Sequence, residues 1–276
     1  MAHHRPYIAS RQNSIVKRFR DAARRGSDVM LLDGAHLVAE AATAQVVLRH
    51  VIVERAAATR PDVEALVNIL EARGIEVAEA AASVVDAASP VRTPTGIVAV
   101  ADRPRHSTAR LYDSSSPLVL IACDIQDPGN LGAIVRVAEA AGASGVVAAG
   151  ASADPFGWKS LRGSMGSALR LPIAVVKQSD DAVADARRRG CRIISTVPRE
   201  GTPLDSAILT GSIAILIGSE GSGLPSAIVE AADDRVTIPM ARPVESLNAA
   251  VTSALLLYEA MRQRRGLRGF AVPGHS

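Results

Sequence analysis

Hydrophobic and polar positions alternate in short blocks along the chain, and the pattern predicts two α/β regions. In the first region, apolar runs predict strands at residues 29–32, 46–53, 75–77 and 96–101. Helical spacing predicts helices at 34–43, 61–73 and 80–88, and a further helix at 7–25 precedes them. Strands and helices that alternate in this way are typical of a small α/β domain.

The second region alternates more regularly. Strands are predicted at 118–123, 145–149, 173–176, 193–196, 213–217 and 236–238, and helices at 130–141, 160–169, 182–189 and 225–231. A long final helix begins near Ser246. Repeated strand–helix units indicate a mostly parallel sheet with helices on both faces.

The domain boundaries follow from a change in composition. Residues 102–117 contain two prolines and a serine triplet without an apolar period, which is typical of a linker. The expected organisation is therefore an N-terminal domain at 1–101, a linker at 102–117, a C-terminal domain at 118–265 and a flexible basic tail at 266–276. A chain of 276 residues is long enough for two such cores.

Composition and charge narrow the classes of partner. Apolar residues make up 48% of the chain and charged residues 21%, as in ordinary globular proteins. Aromatic residues make up only 3%, which leaves little material for a platform that stacks nucleic-acid bases. Recognition of a nucleic acid would therefore have to depend on charge and backbone.

Basic residues are concentrated at the two ends of the chain. Residues 1–25 carry seven basic side chains against one acid, and residues 261–276 carry four arginines and no acid. Such clusters favour a polyphosphate partner, although a solvated arginine-rich helix with a tail is the ordinary alternative. The candidates for contact with such a partner in the first helix are Arg11, Lys17, Arg18 and Arg20.

Several other classes are disfavoured. Cys123 and Cys191 form no C-x-x-C pair, and the six histidines lack ligand spacing, so neither a disulfide framework nor a metal site is expected. No apolar run reaches membrane-spanning length, and no apolar signal core follows the basic N-terminus. The expectation is a cytoplasmic protein that does not bind a membrane.

The first segment that carries candidate chemistry joins a strand to a helix. It reads Asp-Pro-Gly-Asn-Leu-Gly at 127–132, and Arg136 follows within the helix. Glycines and free helix N–H groups would let a phosphate approach the backbone. Arg136 lies six residues after Asn130 and projects from nearly the opposite side of an ideal helix, so one shared site would need an unwound start or another element around it. Asn130 as an ordinary N-cap is the alternative.

The second segment is a glycine-rich loop at 218–223 that follows an apolar strand. Gly218, Gly221 and Gly223 surround Glu220, the one charge in the loop. The loop matches neither the dinucleotide fingerprint nor a P-loop, but its main-chain amides and carbonyls could hold a flat ligand. An ordinary solvated turn is the alternative interpretation.

The third segment, Ser246-Leu247-Asn248, opens the final helix, where Ser246 is a plausible N-cap. This helix is apolar on more than one side, because one stripe contains Val251, Leu255 and Tyr258 while Leu256 and Leu257 face elsewhere. A helix with two apolar sides is expected to contact more than its own sheet, which predicts a homodimer.

Together and in this order, the three segments resemble the SpoU (TrmH-like) family of RNA 2′-O-ribose methyltransferases, in the SPOUT superfamily. The matching motifs are N-x-G-x-x-x-R at 130–136, I-G-S-E-G-x-G-L at 217–224, and I-P-M followed by V-E-S-L-N-A-A within 238–250. The segments at 162–172, 10–17 and 31–38 also resemble the family, so the likeness covers nearly the whole chain.

The resemblance implies properties that periodicity does not show. It implies a trefoil knot in the C-terminal α/β domain, S-adenosyl-L-methionine as cofactor, a homodimer, and an N-terminal RNA-binding domain. The implied reaction is methylation of a ribose 2′-hydroxyl in structured RNA. The accessory domain favours ribosomal RNA over transfer RNA. A non-catalytic RNA-binding or ribosome-assembly factor and a doubly wound nucleotide-dependent enzyme are the alternatives.

The resemblance also implies site residues. The implied catalytic positions are Asn130, Arg136, Glu220, Ser246 and Asn248. The implied cofactor positions are Gly218, Gly223, Ile238, Met240 and Leu247. One departure stands in the third motif, where the family commonly has glycine two residues after Met240 and this chain has Arg242. That side chain is expected either to narrow the cofactor loop or to add a phosphate contact.

Overall fold

The computed structural model describes residues 5–24 and 26–266, which fall into two compact units. Unit 1 runs to Arg105 and also includes Phe156–Arg170, while unit 2 consists of His106–Pro155 and the chain from Leu171. The short segment 156–170 thus packs with the N-terminal part of the sequence. The predicted tail at 266–276 lies, after Gly266, outside the described residues.

Unit 1 contains a five-stranded mixed sheet and helices that cover it. Its strands are β1 (Tyr7–Ile8), β2 (Val29–Asp33), β3 (Leu48–Glu54), β4 (Val77–Ala80) and β5 (Ile97–Asp102). Its helices are α1 (Ser14–Ala22), α2 (Ala35–Thr43), α3 (Pro61–Ala72) and α4 (Ala82–Ala88). The strand order is β1-β4-β3-β5-β2, with β5 antiparallel to both of its neighbours.

The first helix is shorter than the predicted range of 7–25. Tyr7 and Ile8 instead form an edge strand parallel to β4, which supplies them with main-chain partners in the sheet. The helix begins after Asn13, whose side chain accepts a hydrogen bond from Ile15 N at 3.0 Å. An N-cap of this kind satisfies a helix donor that has no partner within the helix. The apolar periodicity was correct only from this cap onward.

Unit 2 contains a seven-stranded sheet in which every neighbouring pair is parallel. Its strands are β6 (Leu118–Cys123), β7 (Gly145–Ala149), β8 (Ile173–Val176), β9 (Arg192–Thr196), β10 (Thr202–Pro203), β11 (Ile213–Ile217) and β12 (Asp234–Thr237). The helices in this part of the sequence are α5 (Pro128–Ala140), α6 (Trp158–Ser164, within unit 1), α7 (Ser179–Arg188), α8 (Ser226–Ala231) and α9 (Ala249–Gly266). The predicted α/β class with a parallel sheet is confirmed.

Both faces of this sheet are buried. Val119, Ile121 and Cys123 of β6 pack in one cluster with residues of α7, such as Ala182 and Ala186. The alternate β6 residues face the other way and are equally buried, and α5 and α9 pack on each other and against this sheet. Continuous apolar strands are expected when helices cover a parallel sheet on both faces.

The strand order places two distant loops side by side. It runs β10-β12-β9-β11-β6-β7-β8, so β6 and β11 are neighbours although four strands separate them in sequence. The chain moves from β6 towards one edge and then returns to build the other half of the sheet. Ligands of open α/β sheets bind at the carboxyl ends of strands where the order reverses in this way. Strand order alone does not define a knot, and the trefoil knot stays a prediction.

Part of the segment predicted as a linker is ordered within unit 2. Residues Thr108–Tyr112 form a 3₁₀ helix, and Leu111 is fully buried in the core of that unit. A Cβ at Gly145 would lie 2.6 Å from Leu111 Cγ, which shows how closely this segment packs on β7. A single apolar anchor produces no periodic signal, so composition alone indicated a spacer.

Candidate active site

Three side chains from three segments that are remote in sequence meet in one hydrogen-bond network. Asn130 Nδ2 donates to Glu220 Oε1 at 2.7 Å, and Asn248 Nδ2 donates to the same oxygen at 2.6 Å. Asn248 Nδ2 also lies 3.0 Å from Asn130 Oδ1, and the backbone N–H of Ala249 donates to Glu220 Oε1 at 3.3 Å. One carboxylate oxygen therefore joins the start of α5, the glycine-rich loop and the start of α9.

Two helix caps hold the asparagines in place. Asp127 caps α5 and accepts a hydrogen bond from Asn130 N at 2.7 Å, so Asn130 is not the N-cap. Asn248 caps α9, because its Oδ1 accepts from Ala250 N at 2.9 Å, and the expectation that Ser246 caps this helix is wrong. The Asp-Pro pair at 127–128 carried the first signal, since proline favours the first helical position.

The glycine-rich loop folds back on itself after β11. A Cβ built on Gly218 would lie 2.2 Å from the carbonyl carbon of Gly223 and 2.4 Å from Leu224 N, so no side chain fits there. Ser219 and Gly223 form an isolated antiparallel bridge, and Gly223 has a φ of +68°. Glycine is thus required at the two positions for different reasons. At Gly218 the backbone of Gly223 and Leu224 approaches too closely for a side chain, and at Gly223 the conformation is left-handed.

This loop forms one wall of a cavity of about 630 Å³. All five residues implied as cofactor contacts line it, namely Gly218, Gly223, Ile238, Met240 and Leu247. Two implied catalytic residues, Glu220 and Ser246, line it as well. Its volume lies within the range of about 300–1,000 Å³ that is usual for small-molecule sites.

Most of the cavity lining is apolar or main chain. Its charged side chains in the described lining are Arg199, Glu220 and Glu245, and Arg199 Nη2 lies 3.8 Å from Glu245 Oε1. Both members of this pair are largely exposed, at 78% and 84%, so their mutual attraction contributes little to stability. Neither residue was among the predicted site residues. Arg199 stands alone in a loop and carries no pattern, and Glu245 lies within the third motif without an implied role.

Arg136 does not join this network. It is exposed on α5, and the part of the chain that the structure describes offers its side chain no hydrogen bond or ion pair. The start of α5 is regular from Pro128 onward, so no unwinding turns Arg136 towards Asn130. The structure therefore brings Asn130, Glu220 and Asn248 together, with Ser246 in the cavity wall, and leaves the guanidinium of Arg136 without a partner among the described residues.

Arg242 does not narrow the cavity. Its side chain is exposed, and it lies outside the lining residues. The expected effect of its bulk on the cofactor loop is therefore wrong. A contact with phosphate stays a prediction for this residue.

The four candidates for RNA contact differ in the contacts that their side chains already make within the protein. Arg20 Nε donates to Ala87 O at 2.9 Å and thereby docks α1 on α4. Arg18 Nη1 lies 2.9 Å from His50 Nε2, and burial, together with this guanidinium, lowers the pKa of His50. Lys17 and Arg11 are exposed, and Arg11 precedes the helix, in the turn before Asn13. Arg20 is thus partly structural.

Other chemistries find little support in the described residues. They contain no group of three or more His, Cys, Asp or Glu side chains arranged to hold a metal ion. Burial raises the pKa of the Cys123 thiol to about 12 and also raises that of Cys191, so neither is a ready nucleophile at neutral pH. Across residues 5–24 and 26–266, no helix combines the length and apolarity needed to cross a membrane.

A parallel sheet with a cavity walled by glycine backbone at the carboxyl ends of its strands defines an α/β protein that binds a small cofactor. Residues 117–258 match the model of the SpoU rRNA methylase family. The chain belongs to the SpoU rRNA methylase family.

Two relatives are similar to this chain over most of its length. The 23S rRNA (guanosine(2553)-2′-O)-methyltransferase RlmP of Bacillus subtilis (strain 168) is 30% identical over 255 residues, which cover 91% of this chain and 97% of the relative. The 23S rRNA (guanosine-2′-O-)-methyltransferase RlmB of a Burkholderia species is 34% identical over 72% of this chain and 83% of its own length.

Solved structures with the cofactor are similar as well. An AdoMet-bound rRNA methyltransferase from Sinorhizobium meliloti superposes with a TM-score of 0.80 at 28% identity, covering 93% of this chain and 97% of that one. The SpoU methyltransferase AviRb from Streptomyces viridochromogenes, in complex with AdoMet, also gives a TM-score of 0.80 at 26% identity, covering 91% and 98%. The predicted family, fold class and cofactor are confirmed.

Proposed function

We propose that this protein methylates a ribose 2′-hydroxyl of ribosomal RNA with S-adenosyl-L-methionine. The observation that carries the proposal is the meeting of Asn130, Glu220 and Asn248 beside the 630 Å³ cavity. These residues come from the three family motifs and are remote in sequence. The names of the relatives, which act on 23S rRNA, support ribosomal RNA as the substrate.

The cavity suits the cofactor in shape and in charge. The backbone of Gly218 and Gly223 and the apolar side chains of Ile238 and Leu247 would enclose the adenosine part. Arg199 and Glu245 match the carboxylate and the ammonium of the amino-acid part. The cofactor supplies an electrophilic methyl group, while the protein must hold the acceptor hydroxyl in line and let its proton leave.

Arg136 is the residue that would act on the hydroxyl. A guanidinium with a pKa above about 12 is a poor base at neutral pH, so proton abstraction is not its task. Arg136 would grip the adjacent phosphate and stabilise the negative charge that develops on the 2′-oxygen. The proton would pass to the phosphate or to water. Ser246 would support the loop at the cavity wall. The hydrogen bonds around Glu220 would hold the start of α5, the glycine-rich loop and the start of α9 in fixed positions relative to one another.

A map of 2′-O-methylated nucleotides tests the proposal directly. Total RNA from a deletion strain should lack one ribosomal 2′-O-methyl group, and the gene supplied in trans should restore it. A site lost from transfer RNA would favour the alternative substrate. A protein that binds RNA, with no site lost, would favour a non-catalytic factor. The relatives come from bacteria, in which ribosomal RNA is made in the cytoplasm. The proposal therefore includes a cytoplasmic location.

The proposal includes phosphate contacts by Arg11, Lys17 and Arg18 near α1. All three have exposed basic side chains, and the residue that Arg18 contacts, His50, has a pKa lowered by burial and by this guanidinium. Arg20 would contribute charge while it holds α1 in place. Contacts with phosphate make affinity fall steeply with salt.

The proposal also includes a homodimer that uses α9. The residues Val251, Leu255 and Tyr258 follow helical spacing and are 48%, 42% and 47% exposed, whereas Leu256 and Leu257 are fully buried. The predicted apolar stripe thus stays accessible in a single chain. Exposed apolar stripes of this kind are typical of contact surfaces between proteins.

Leu255→Arg should convert the protein to a monomer, because a charge would have to be buried in the contact. Sedimentation velocity would measure this, with Val175→Arg as control. Val175 is 65% exposed on β8, outside the stripe, so that variant should stay dimeric. A dimeric Leu255→Arg protein would place the contact elsewhere.

A further inference from the structure

Unit 1 contains a cleft of about 810 Å³ that the methyl-transfer chemistry does not use. One wall is the loop from β2 into α2, with Asp33 and His36, and the other is helix α6, with Trp158, Lys159 and Arg162. His36 Nε2 lies 3.3 Å from Met165 O, which ties the two walls together. None of these residues lines the cofactor cavity.

Two basic side chains of this cleft, those of Lys159 and Arg162, form no close ion pair with a described residue. Within residues 5–24 and 26–266, neither Lys159 nor Arg162 has a hydrogen bond or ion pair from its side chain, and both are exposed. The nearby carboxyl of Asp33 accepts a hydrogen bond from Ser89 Oγ at 2.5 Å, and burial raises its pKa, while this hydrogen bond and the charge of Arg162 oppose the rise. Arg60 is already used, because it donates to Thr95 O at 2.8 Å and lies 3.8 Å from Asp62. Among the described residues, Lys159 and Arg162 therefore line the opening without a hydrogen bond or a close ion pair, although Lys159 lies over the Trp158 ring and the charge of Arg162 acts on the Asp33 carboxyl.

The same cleft holds the single tryptophan of the chain. Trp158 packs partly against the core of unit 1 and is otherwise accessible, and Lys159 Nζ lies 5.4 Å from its ring centroid. A low aromatic content argued against a platform for stacking several bases. It does not argue against a site for one base, which needs one ring with positive charge beside it.

We propose that this cleft binds one unpaired nucleotide of the RNA substrate, with the base on Trp158 and a phosphate between Lys159 and Arg162. The inference rests on the proposed function, because it assumes an RNA substrate. The nucleotide site would add a contact in unit 1 that helps to position the RNA on the protein. The nucleotide must be unpaired, since the face of a base is inaccessible within a continuous double helix.

Tryptophan fluorescence of the full-length protein tests the inference, because one residue gives the whole signal. Titration with an unlabelled, unstructured oligouridylate should quench the emission to saturation. Fluorescence anisotropy of a labelled copy of the same RNA gives its affinity independently. We expect Arg162→Ala to weaken binding about tenfold. The slope of log affinity against log salt should then become shallower by about 0.7, the value for one phosphate on a single strand.

Two further variants separate the contact from other effects. Arg235→Ala removes an equally exposed cation of β12 in unit 2 and should change neither affinity nor slope. Trp158→Phe keeps a ring and should retain most of the affinity, whereas Trp158→Leu, which fills the core without stacking, should lose it. RNA that binds without quenching, or an Arg162→Ala protein that behaves like Arg235→Ala, would overturn the inference and leave the methyltransferase proposal intact. A wild-type protein that does not bind the oligouridylate would overturn the inference, and only a failure to bind ribosomal RNA as well would overturn the proposed function.

Discussion

Arg136→Ala should abolish nearly all methyl transfer while the protein binds the cofactor as tightly as the wild type does. The guanidinium is exposed, lacks a partner among the described residues and lies outside the cavity lining, so its loss leaves the cofactor walls untouched. Removal of one donor that stabilises developing charge typically slows catalysis by about 10²–10³-fold. A tritiated-methyl assay on ribosomal RNA measures the rate, and calorimetry with S-adenosylhomocysteine measures binding.

Arg136→Lys distinguishes charge from geometry. Lysine keeps the positive charge but lacks the planar fork that grips a phosphate with two parallel hydrogen bonds. We therefore expect only a partial return of activity. Near-normal turnover of the alanine variant would exclude the assigned role. A parallel loss of cofactor affinity would instead mean that Arg136 supports the fold of the site.

Gly218→Ala should weaken cofactor binding by roughly 10- to 100-fold, because the new methyl group would collide with backbone. Its Cβ would lie 2.2 Å from the carbonyl carbon of Gly223, and neither atom can move without displacing the loop. Overpacking usually costs about 1–3 kcal/mol, which corresponds to about 5- to 150-fold in affinity, and the expected loss lies within this range. Calorimetry with S-adenosylhomocysteine measures the loss, and thermal unfolding shows how much of it comes from stability.

Gly221→Ala provides the matched control in the same loop. A Cβ at Gly221 has no atom within 4 Å, and its φ lies outside the left-handed region. This variant should bind the cofactor like the wild type. If the two alanine variants bound equally well, the folded-back loop would not be the cofactor wall, and the assignment of the cavity would fail.

The sequence predicted most of the secondary structure of unit 2 well because four of its strands are continuous apolar runs. Strands Leu118–Cys123, Gly145–Ala149, Ile173–Val176 and Ile213–Ile217 agree with the predicted ranges. The two-residue strands Tyr7–Ile8 and Thr202–Pro203 were missed. Elements this short have no period of their own and exist only because a neighbouring strand supplies their hydrogen bonds.

The candidate site was predicted in its parts and not in its geometry. The motifs identified Asn130, Glu220 and Asn248, but spacing along the chain could not show that one carboxylate oxygen joins all three. It also misassigned both caps, since Asp127 and Asn248 hold the helix starts. Residues that cap a helix and residues that bind a ligand have the same side-chain types, so only the contacts in the folded structure distinguish them.

By itself, the sequence determined the fold class through its local apolar patterns. Its short ordered motifs carried the resemblance to the family, and that resemblance implied the cofactor and the site residues. The tertiary structure decided which motif residues meet. The order β9-β11-β6-β7 places the loops after β6 and β11 at the same edge, and α9 adds Asn248 to them. The tertiary structure also left Arg136 outside this network and placed Trp158 beside Lys159 and Arg162 in unit 1. These facts depend on contacts between segments that are remote in sequence, which no local pattern encodes.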